Sequence, residues 1–142
     1  ANLATLLDIS PRELTDWFWV AYGDAYDCVV EPNVLGMGTY AVGDLMTTKP
    51  YTSGAAYINK MGDFCQSCLF DPKKNCPITN LYWSFLDRNQ EALKSNPRLR
   101  MIMATMRKRN RSLRQYDQKV FQRLRKTLRD GAQITPENLP KK

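Results

Sequence analysis

The decisive stretch of this sequence is Cys65-Gln66-Ser67-Cys68-Leu69-Phe70-Asp71-Pro72-Lys73-Lys74-Asn75-Cys76. It places three thiols close together on a segment in which Asp-Pro and Asn favour tight backbone turns. A Cys-x-x-Cys pair can offer two sulfurs to one metal ion or cluster, and a third nearby thiol extends that shell. Cys28 lies far upstream. A four-sulfur site therefore needs either Cys28 or a sulfur from outside this chain.

The chain contains no histidine, and this narrows its chemistry. Zinc sites with histidine ligands, histidine general bases and the Ser-His or Cys-His nucleophile arrangements are all excluded. The cysteine spacing fits structural zinc and an iron-sulfur cluster equally well, and three reduced thiols without metal are a third reading. Because the pattern indicates metal binding more than a disulfide framework, we expect a reducing intracellular compartment, either the cytoplasm or an organelle interior.

Length and composition predict one soluble domain. The chain has 142 residues, of which 43% are hydrophobic, enough for a single core. No apolar run reaches the length of about 18 residues that a membrane span needs, and the first residues lack the features of a secretory signal. We expect no membrane span.

The apolar residues recur at helical spacing, so the predicted fold class is all-α, a compact helical domain. Ser10-Pro11 begins a helix expected to run to about Val30, and the residues that follow, 33–52, are expected to form a long ordered loop. Further helices are expected over 53–61, from 79 or 80 to 94, over 97–109, and in a last segment ending near Gly131. We divide the chain into a helical domain (1–97) with its cysteine loop (65–76), basic helices (98–131) and an extended tail (132–142).

Charge is distributed unevenly along the chain. Residues 1–97 hold 7 Lys and Arg against 11 Asp and Glu, a net of −4, whereas residues 98–142 hold 14 against 3, a net of +11. A basic end of this kind suits a polyanion, and nucleic acid is the commonest one. A solvated helix face, or one that contacts an acidic protein surface, explains the same charge equally well.

A series of short motifs resembles the carboxy-terminal part of the iron-sulfur bacterial cryptochromes and photolyases, the deoxyribodipyrimidine photolyase-related proteins. The motifs follow the family's order over most of residues 10–100: Asp24-Ala25-Tyr26-Asp27, Pro32-Asn33-Val34-Leu35-Gly36-Met37, Thr48-Lys49-Pro50-Tyr51, Ala56-Tyr57-Ile58-Asn59-Lys60-Met61, Cys65-x-x-Cys68, Tyr82-Trp83-x-Phe85-Leu86-Asp87-Arg88 and Asn96-Pro97-Arg98. The resemblance implies a cluster in preference to zinc.

The resemblance also implies cofactors and site residues. The family binds FAD and a 4Fe-4S cluster in an all-helical domain and repairs (6-4) photoproducts in DNA with light. By resemblance, three cluster ligands are Cys65, Cys68 and Cys76, and Cys28 is a candidate for the fourth. By the same resemblance, four residues belong to the flavin and lesion region: Asp24 beside the flavin, Trp17 and Tyr26 among the aromatics implicated in electron passage, and Tyr51 in the lesion pocket.

Departures from the family pattern shape the functional hypothesis. This chain lacks the antenna domain, most of the flavin-binding segment and an upstream histidine motif, and Phe18 replaces a commonly oxidisable tyrosine. We therefore expect no catalysis by this chain alone, and FAD binding only together with the missing half. The alternatives are a non-catalytic accessory subunit of an organellar ribonucleoprotein or photosynthetic assembly, and a nucleic-acid-binding module using residues 98–142.

Overall fold

The computed structural model describes residues 1–141 and is helical throughout, with no strand among those residues. The all-α prediction is therefore confirmed. The α-helices are α1 (Asn2–Leu6), α2 (Pro11–Ala21), α3 (Asp27–Val30), α4 (Ala55–Met61), α5 (Pro77–Arg88), α6 (Gln90–Leu93), α7 (Arg100–Lys108) and α8 (Arg111–Arg129). A π-helix covers Glu31–Gly38, and 3-10 turns cover Gly43–Leu45, Pro97–Leu99 and Pro136–Asn138. None of the described helices is long and apolar enough to cross a membrane.

The chain forms two compact units, each built from two separate segments. The first unit comprises Ala1–Thr52 and Lys94–Met101, and the second comprises Ser53–Leu93 and the segment from Ile102 onward. The boundary that we predicted after residue 97 falls inside the second segment of the first unit. Lys142 lies outside the described residues.

The first unit has a small apolar core to which a distant segment is tied by hydrogen bonds. Leu6, Leu7 and Val34 are buried there. The buried Asn96 donates from Nδ2 to the carbonyl oxygen of Thr48 at 2.9 Å, and its Oδ1 accepts from the backbone N–H of Arg98. One amide side chain thus caps the 3-10 turn at Pro97–Leu99 and also anchors it to the loop before α4.

The helix predicted from Ser10 to Val30 is wrong in its length. It ends at Ala21, since Tyr22 has extended backbone angles (φ −118°, ψ 127°), and a turn containing Gly23 leads into α3. The predicted stop at Pro32 is also wrong, because a π-helix continues to Gly38 with Pro32 in its first turn. α3 runs directly into the π-helix, because Val30 and Glu31 keep right-handed helical angles and the N–H of Glu31 donates to the carbonyl oxygen of Asp27. Pro32 therefore lies inside a continuous helical segment, where it cannot donate a backbone hydrogen bond.

A close approach explains why glycine is needed inside the π-helix. A Cβ atom at Gly36 would lie 2.9 Å from Cγ of Met46, closer than two carbon atoms can pack without displacement. The residues after the π-helix therefore fold back onto it. The predicted long loop over 33–52 thus begins as a helix and becomes irregular only after Gly38, with one short 3-10 turn at Gly43–Leu45.

In the second unit, α5 packs against α8. Leu81 and Leu86 of α5 and Val120 and Leu124 of α8 are at most 3% exposed. Burying such side chains stabilises a fold by about 1.5–3 kcal/mol each. The guanidinium carbon of Arg88 lies 3.6 Å from the ring centroid of Phe121, which adds a cation-π contact at the edge of this core.

Helix ends in the second unit agree with the sequence in part. The predicted end of α8 is confirmed: the helix stops at Arg129, and Gly131 adopts a positive φ of 68°. The predicted start of α5 at residue 79 or 80 is wrong, since Pro77 is its first residue and Cys76 its N-cap. Proline favours that first position because its fixed φ is already helical. This register places Cys76 directly against the amino-terminal end of a helix.

Candidate cysteine site and exposed aromatic surface

The cysteine loop joins α4 to α5 in the second unit and is organised by hydrogen bonds around Asp71. Its carbonyl oxygen accepts from the N–H of Cys76 at 3.0 Å and from that of Asn75 at 3.1 Å. The Asp71 carboxylate accepts from the N–H of Lys73 at 2.7 Å, and the Asn75 side chain accepts from the N–H of Asp71 at 2.7 Å. The turn predicted from Asp-Pro and Asn is therefore confirmed, and it holds Cys76 in place.

The three loop thiols are free and lie near one another in the second unit. Burial raises the pKa of the Cys76 thiol, the Ile78 N–H lowers it by hydrogen bonding, and charges on Cys68 and Cys65 raise it further. Cys65 and Cys68 therefore lie close enough to Cys76 to act on its thiol electrostatically. The N–H of Phe70 also points to Sγ of Cys68 at 3.5 Å. N–H donors of this kind stabilise a thiolate.

The described part of the chain, residues 1–141, contains no preformed metal site. Within residues 1–141, no group of three or more His, Cys, Asp or Glu side chains is arranged to hold a metal ion. The donor chemistry of the loop nevertheless fits a thiophilic group, since the loop carries three sulfurs and two of them, those of Cys68 and Cys76, receive a backbone N–H donor. The loop thus offers three candidate ligands, one fewer than a four-sulfur shell needs.

Cys28, the predicted fourth ligand, lies in the first unit. It is exposed on α3, whereas the loop cysteines belong to the second unit. The structure therefore brings Cys65, Cys68 and Cys76 into one loop and leaves the role of Cys28 a prediction.

An exposed aromatic cluster covers the end of α2 in the first unit. Phe18 and Tyr22 are stacked with ring centroids 5.3 Å apart, and Trp17 meets Phe18 edge-on at 5.2 Å. Trp17 is 56% exposed and Tyr22 is 51% exposed. Large aromatic side chains are costly to leave in water, so a surface of this kind is typical of a contact with a ligand or another polypeptide. The family resemblance pointed to Trp17, whereas nothing in the sequence singled out Tyr22 as part of the same surface.

The remaining predicted flavin-region residues lie on exposed turns of the same unit. Asp24 and Tyr26 occupy the turn between α2 and α3, where the N–H of Tyr26 donates to the carbonyl oxygen of Asp24 at 2.9 Å. Tyr26 is 70% exposed and Tyr51, which follows Pro50, is 56% exposed. These side chains offer one polar and several aromatic surfaces that a flavin could contact, without enclosing one.

A buried ionic network near the cysteine loop was not foreseen from the sequence. Asp117 of α8 is 1% exposed. Its carboxylate accepts from Nε of Arg109 at 2.7 Å, from Nη2 of the same arginine at 3.1 Å and from Nδ2 of Asn80 at 2.7 Å. Arg109 also lies 5.1 Å from the ring centroid of Trp83. The only sequence signal was one acidic residue in a long basic helix.

Comparison with known proteins reveals one strong similarity. Over 109 residues, which make up 73% of this chain, the sequence is 46% identical to a (6-4) photolyase of Agrobacterium fabrum. The chain is related to the photolyases. The predicted family relationship is thereby confirmed at this level. The finer assignment to the iron-sulfur bacterial subtype stays a prediction.

The photolyase-related chain spans only 22% of the length of that photolyase. A second relative, an uncharacterised protein of Acanthamoeba polyphaga mimivirus, is 28% identical over 123 residues, which are 87% of this chain and 97% of the viral protein. No family model matches the sequence. The photolyase-related segment thus occurs both as part of a much longer protein and as nearly the whole of a short one.

Proposed function

We propose that this chain is the iron-sulfur-cluster-binding helical portion of a photolyase-like flavoprotein that repairs DNA with light. The observation that carries the proposal is the 46% identity to a (6-4) photolyase over 73% of the chain. The three thiols on one hydrogen-bonded loop support the cluster, because iron-sulfur clusters are held by cysteine thiolates. Cys65, Cys68 and Cys76 would be its ligands in this chain, with Cys28 as a candidate for the fourth.

The flavin part of the proposal concerns the first unit. Trp17, Tyr26 and Tyr51 are all more than half exposed, and Asp24 is exposed on the turn after α2. A cofactor as large as FAD needs several elements around it to be held and tuned. We therefore assign these four residues to one wall of a flavin site whose other walls belong to a complementary polypeptide. Bound FAD would supply the light-driven electron chemistry, and this chain would position and shield it.

Iron and sulfide analysis is the first test. Chain reconstituted without oxygen is expected to contain iron and acid-labile sulfide and to show a broad brown absorption shoulder. Cys65→Ser and Cys68→Ser should lose both elements and melt at a lower temperature, because metal binding and folding are linked. Cys28→Ser serves as the comparison variant and also tests the fourth ligand: unchanged iron content would remove Cys28 from the shell.

Two results would overturn the cluster assignment. The first is the absence of both iron and sulfide from anaerobic material. The second is a colourless protein that binds one zinc ion through the same cysteines. Flavin binding is measured separately by adding FAD with and without a polypeptide corresponding to the rest of the photolyase. Binding of FAD by the chain alone would contradict the proposal that this chain forms only one side of the flavin site.

A second candidate function is that of a non-catalytic accessory subunit in a larger complex. The viral relative favours it, since a protein matched over 97% of its length is built of little more than this segment. The exposed aromatic cluster of the first unit would then be covered by a partner protein rather than by a flavin. Isolation of a stable complex that contains the cluster but no flavin would support this candidate over the first.

A further inference from the structure

One face of α8 carries an unbroken row of cationic and amide side chains. These residues lie at intervals of three, four and one positions, so that they share one side of the helix over about 27 Å of its axis. We call this row the polar stripe, and it consists of Arg111, Gln115, Gln118, Lys119, Gln122, Lys126 and Arg129. All of them are exposed except Gln118, which is half-buried.

The polar stripe has a single sign of charge. Asp117 is the one carboxylate in α8, and it lies on the opposite, buried face, where Arg109 and Asn80 bind it. None of the four cations in the stripe forms an ion pair with a carboxylate of the described residues. Within residues 1–141 these charges are therefore uncompensated and available to an anion.

Two surface hollows flank the polar stripe and extend its reach. One, of about 700 Å³, is lined by the stripe's amino-terminal half together with Asp87, Arg109 and Arg114. Asp87 does not neutralise this hollow, because it is paired with Arg114. The other, of about 470 Å³, lies towards the carboxy-terminal end of α8 and is lined by Arg123 and Lys126 and by one carboxylate, Glu137. Both hollows are lined in part by Lys119 and Gln122, so they form a continuous concave track along which cations and amides outnumber the carboxylates of Asp87 and Glu137.

The chemistry of the track distinguishes among polyanions. Proteins that bind single-stranded nucleic acid stack bases on aromatic side chains, and the polar stripe contains none. An amphipathic helix that lies on a membrane inserts its apolar face, but in α8 Val120, Phe121 and Leu124 of that face are already buried in the second unit. The wide major groove of B-form DNA accommodates a helix, whereas that of duplex RNA is too narrow for side chains to enter.

We propose that the polar stripe of α8 is a binding surface for duplex DNA, with its lysines and arginines on phosphates and its glutamines hydrogen-bonded to backbone or base edges. This site does not depend on the proposed cluster or flavin, since neither contributes a residue to the stripe. The sequence suggested only that the basic residues of 98–142 could bind nucleic acid. The present proposal names the helix face, its residues and the form of the nucleic acid.

The test is fluorescence anisotropy of the full chain with a labelled duplex DNA of about 20 base pairs over a series of salt concentrations. Four phosphate contacts predict a log–log salt slope of about −3.6. The double variant Lys119→Gln with Lys126→Gln should make that slope less steep by about 1.8 and weaken binding more than about tenfold near 0.1 M salt.

The matched control removes two exposed lysines elsewhere in the second unit, Lys60→Gln with Lys74→Gln. It changes the net charge equally and should keep both slope and affinity within about twofold of the parent chain. Circular dichroism and the melting temperature establish that both double variants remain folded. An equal loss in the control, tighter binding to single-stranded DNA of the same length, or tighter binding to anionic lipid vesicles overturns the proposal.

Discussion

At the scale of single residues, the arginines of the basic segment differ in what they do. A net charge counts all of them alike, as if each were available to a polyanion. Arg109 and Arg114, however, turn inward, where they bind Asp117 and Asp87. Whether a basic side chain is paired depends on which carboxylate folding brings beside it, and in these two cases the partner is 8 or 27 residues away.

The buried pair gives a prediction for stability. Asp117→Ala leaves the largely buried Arg109 without its counter-ion and Asn80 without its acceptor, so the free energy of unfolding should fall by about 3–5 kcal/mol. Urea denaturation measures this. Arg12→Ala is the comparison, because its pair with Asp16 is more than half exposed and should contribute less than about 1 kcal/mol. Similar losses in the two variants would contradict the assigned burial.

Cys76 gives a prediction for pH dependence. Burial, chiefly, raises the pKa of its thiol above the ordinary value of 9.0, so the folded chain holds this proton more tightly than the unfolded chain does. The protonated thiol's contribution to the free energy of unfolding is fully present below about pH 9. It is lost as pH rises through the pKa that the thiol has in the folded chain. The melting temperature of reduced, metal-free chain should therefore fall as pH rises above about 9.

The variant Cys76→Ala should show a smaller fall over the same pH range, because the titrating thiol is gone. Cys68→Ala is the matched control, since Cys68 is exposed and its replacement removes a thiol from the same loop. A fall that is identical in the parent chain and in Cys76→Ala would show that other groups account for it, such as the half-buried Tyr82, whose pKa is also raised by burial.

At the scale of elements, α8 is a helix with two opposite faces that differ in polarity. Its apolar side packs on α5, and its polar stripe faces outward. The local pattern was sufficient to predict this helix, because apolar spacing and a terminal glycine are properties of the segment itself. The predicted length of α2 was too great because the same kind of local pattern does not show where a helix ends. Its aromatic periodicity continues past Ala21, while the chain leaves the helix at Tyr22.

The packed face of α8 can be tested with a pair of leucines on one helix. Leu124 is 3% exposed, and its replacement by alanine should lower the free energy of unfolding by about 2–5 kcal/mol through lost contacts and a cavity. Leu128, one turn further on, is 45% exposed. Its replacement by alanine should cost less than about 1 kcal/mol. Equal effects in a denaturation experiment would contradict the packing of α8 on α5.

At the scale of the whole molecule, the sequence by itself determined the helical class, the hydrogen-bonded turn that holds Cys76, and the concentration of positive charge in the last third of the chain. These follow from spacing, turn chemistry and composition, which act over a few residues. Only the tertiary structure decided that segments distant in sequence build each unit, that Asp117 is buried and paired with Arg109, and that Trp17 and Tyr22 remain exposed. Those outcomes depend on which surfaces meet across long separations, and no local pattern encodes the partner.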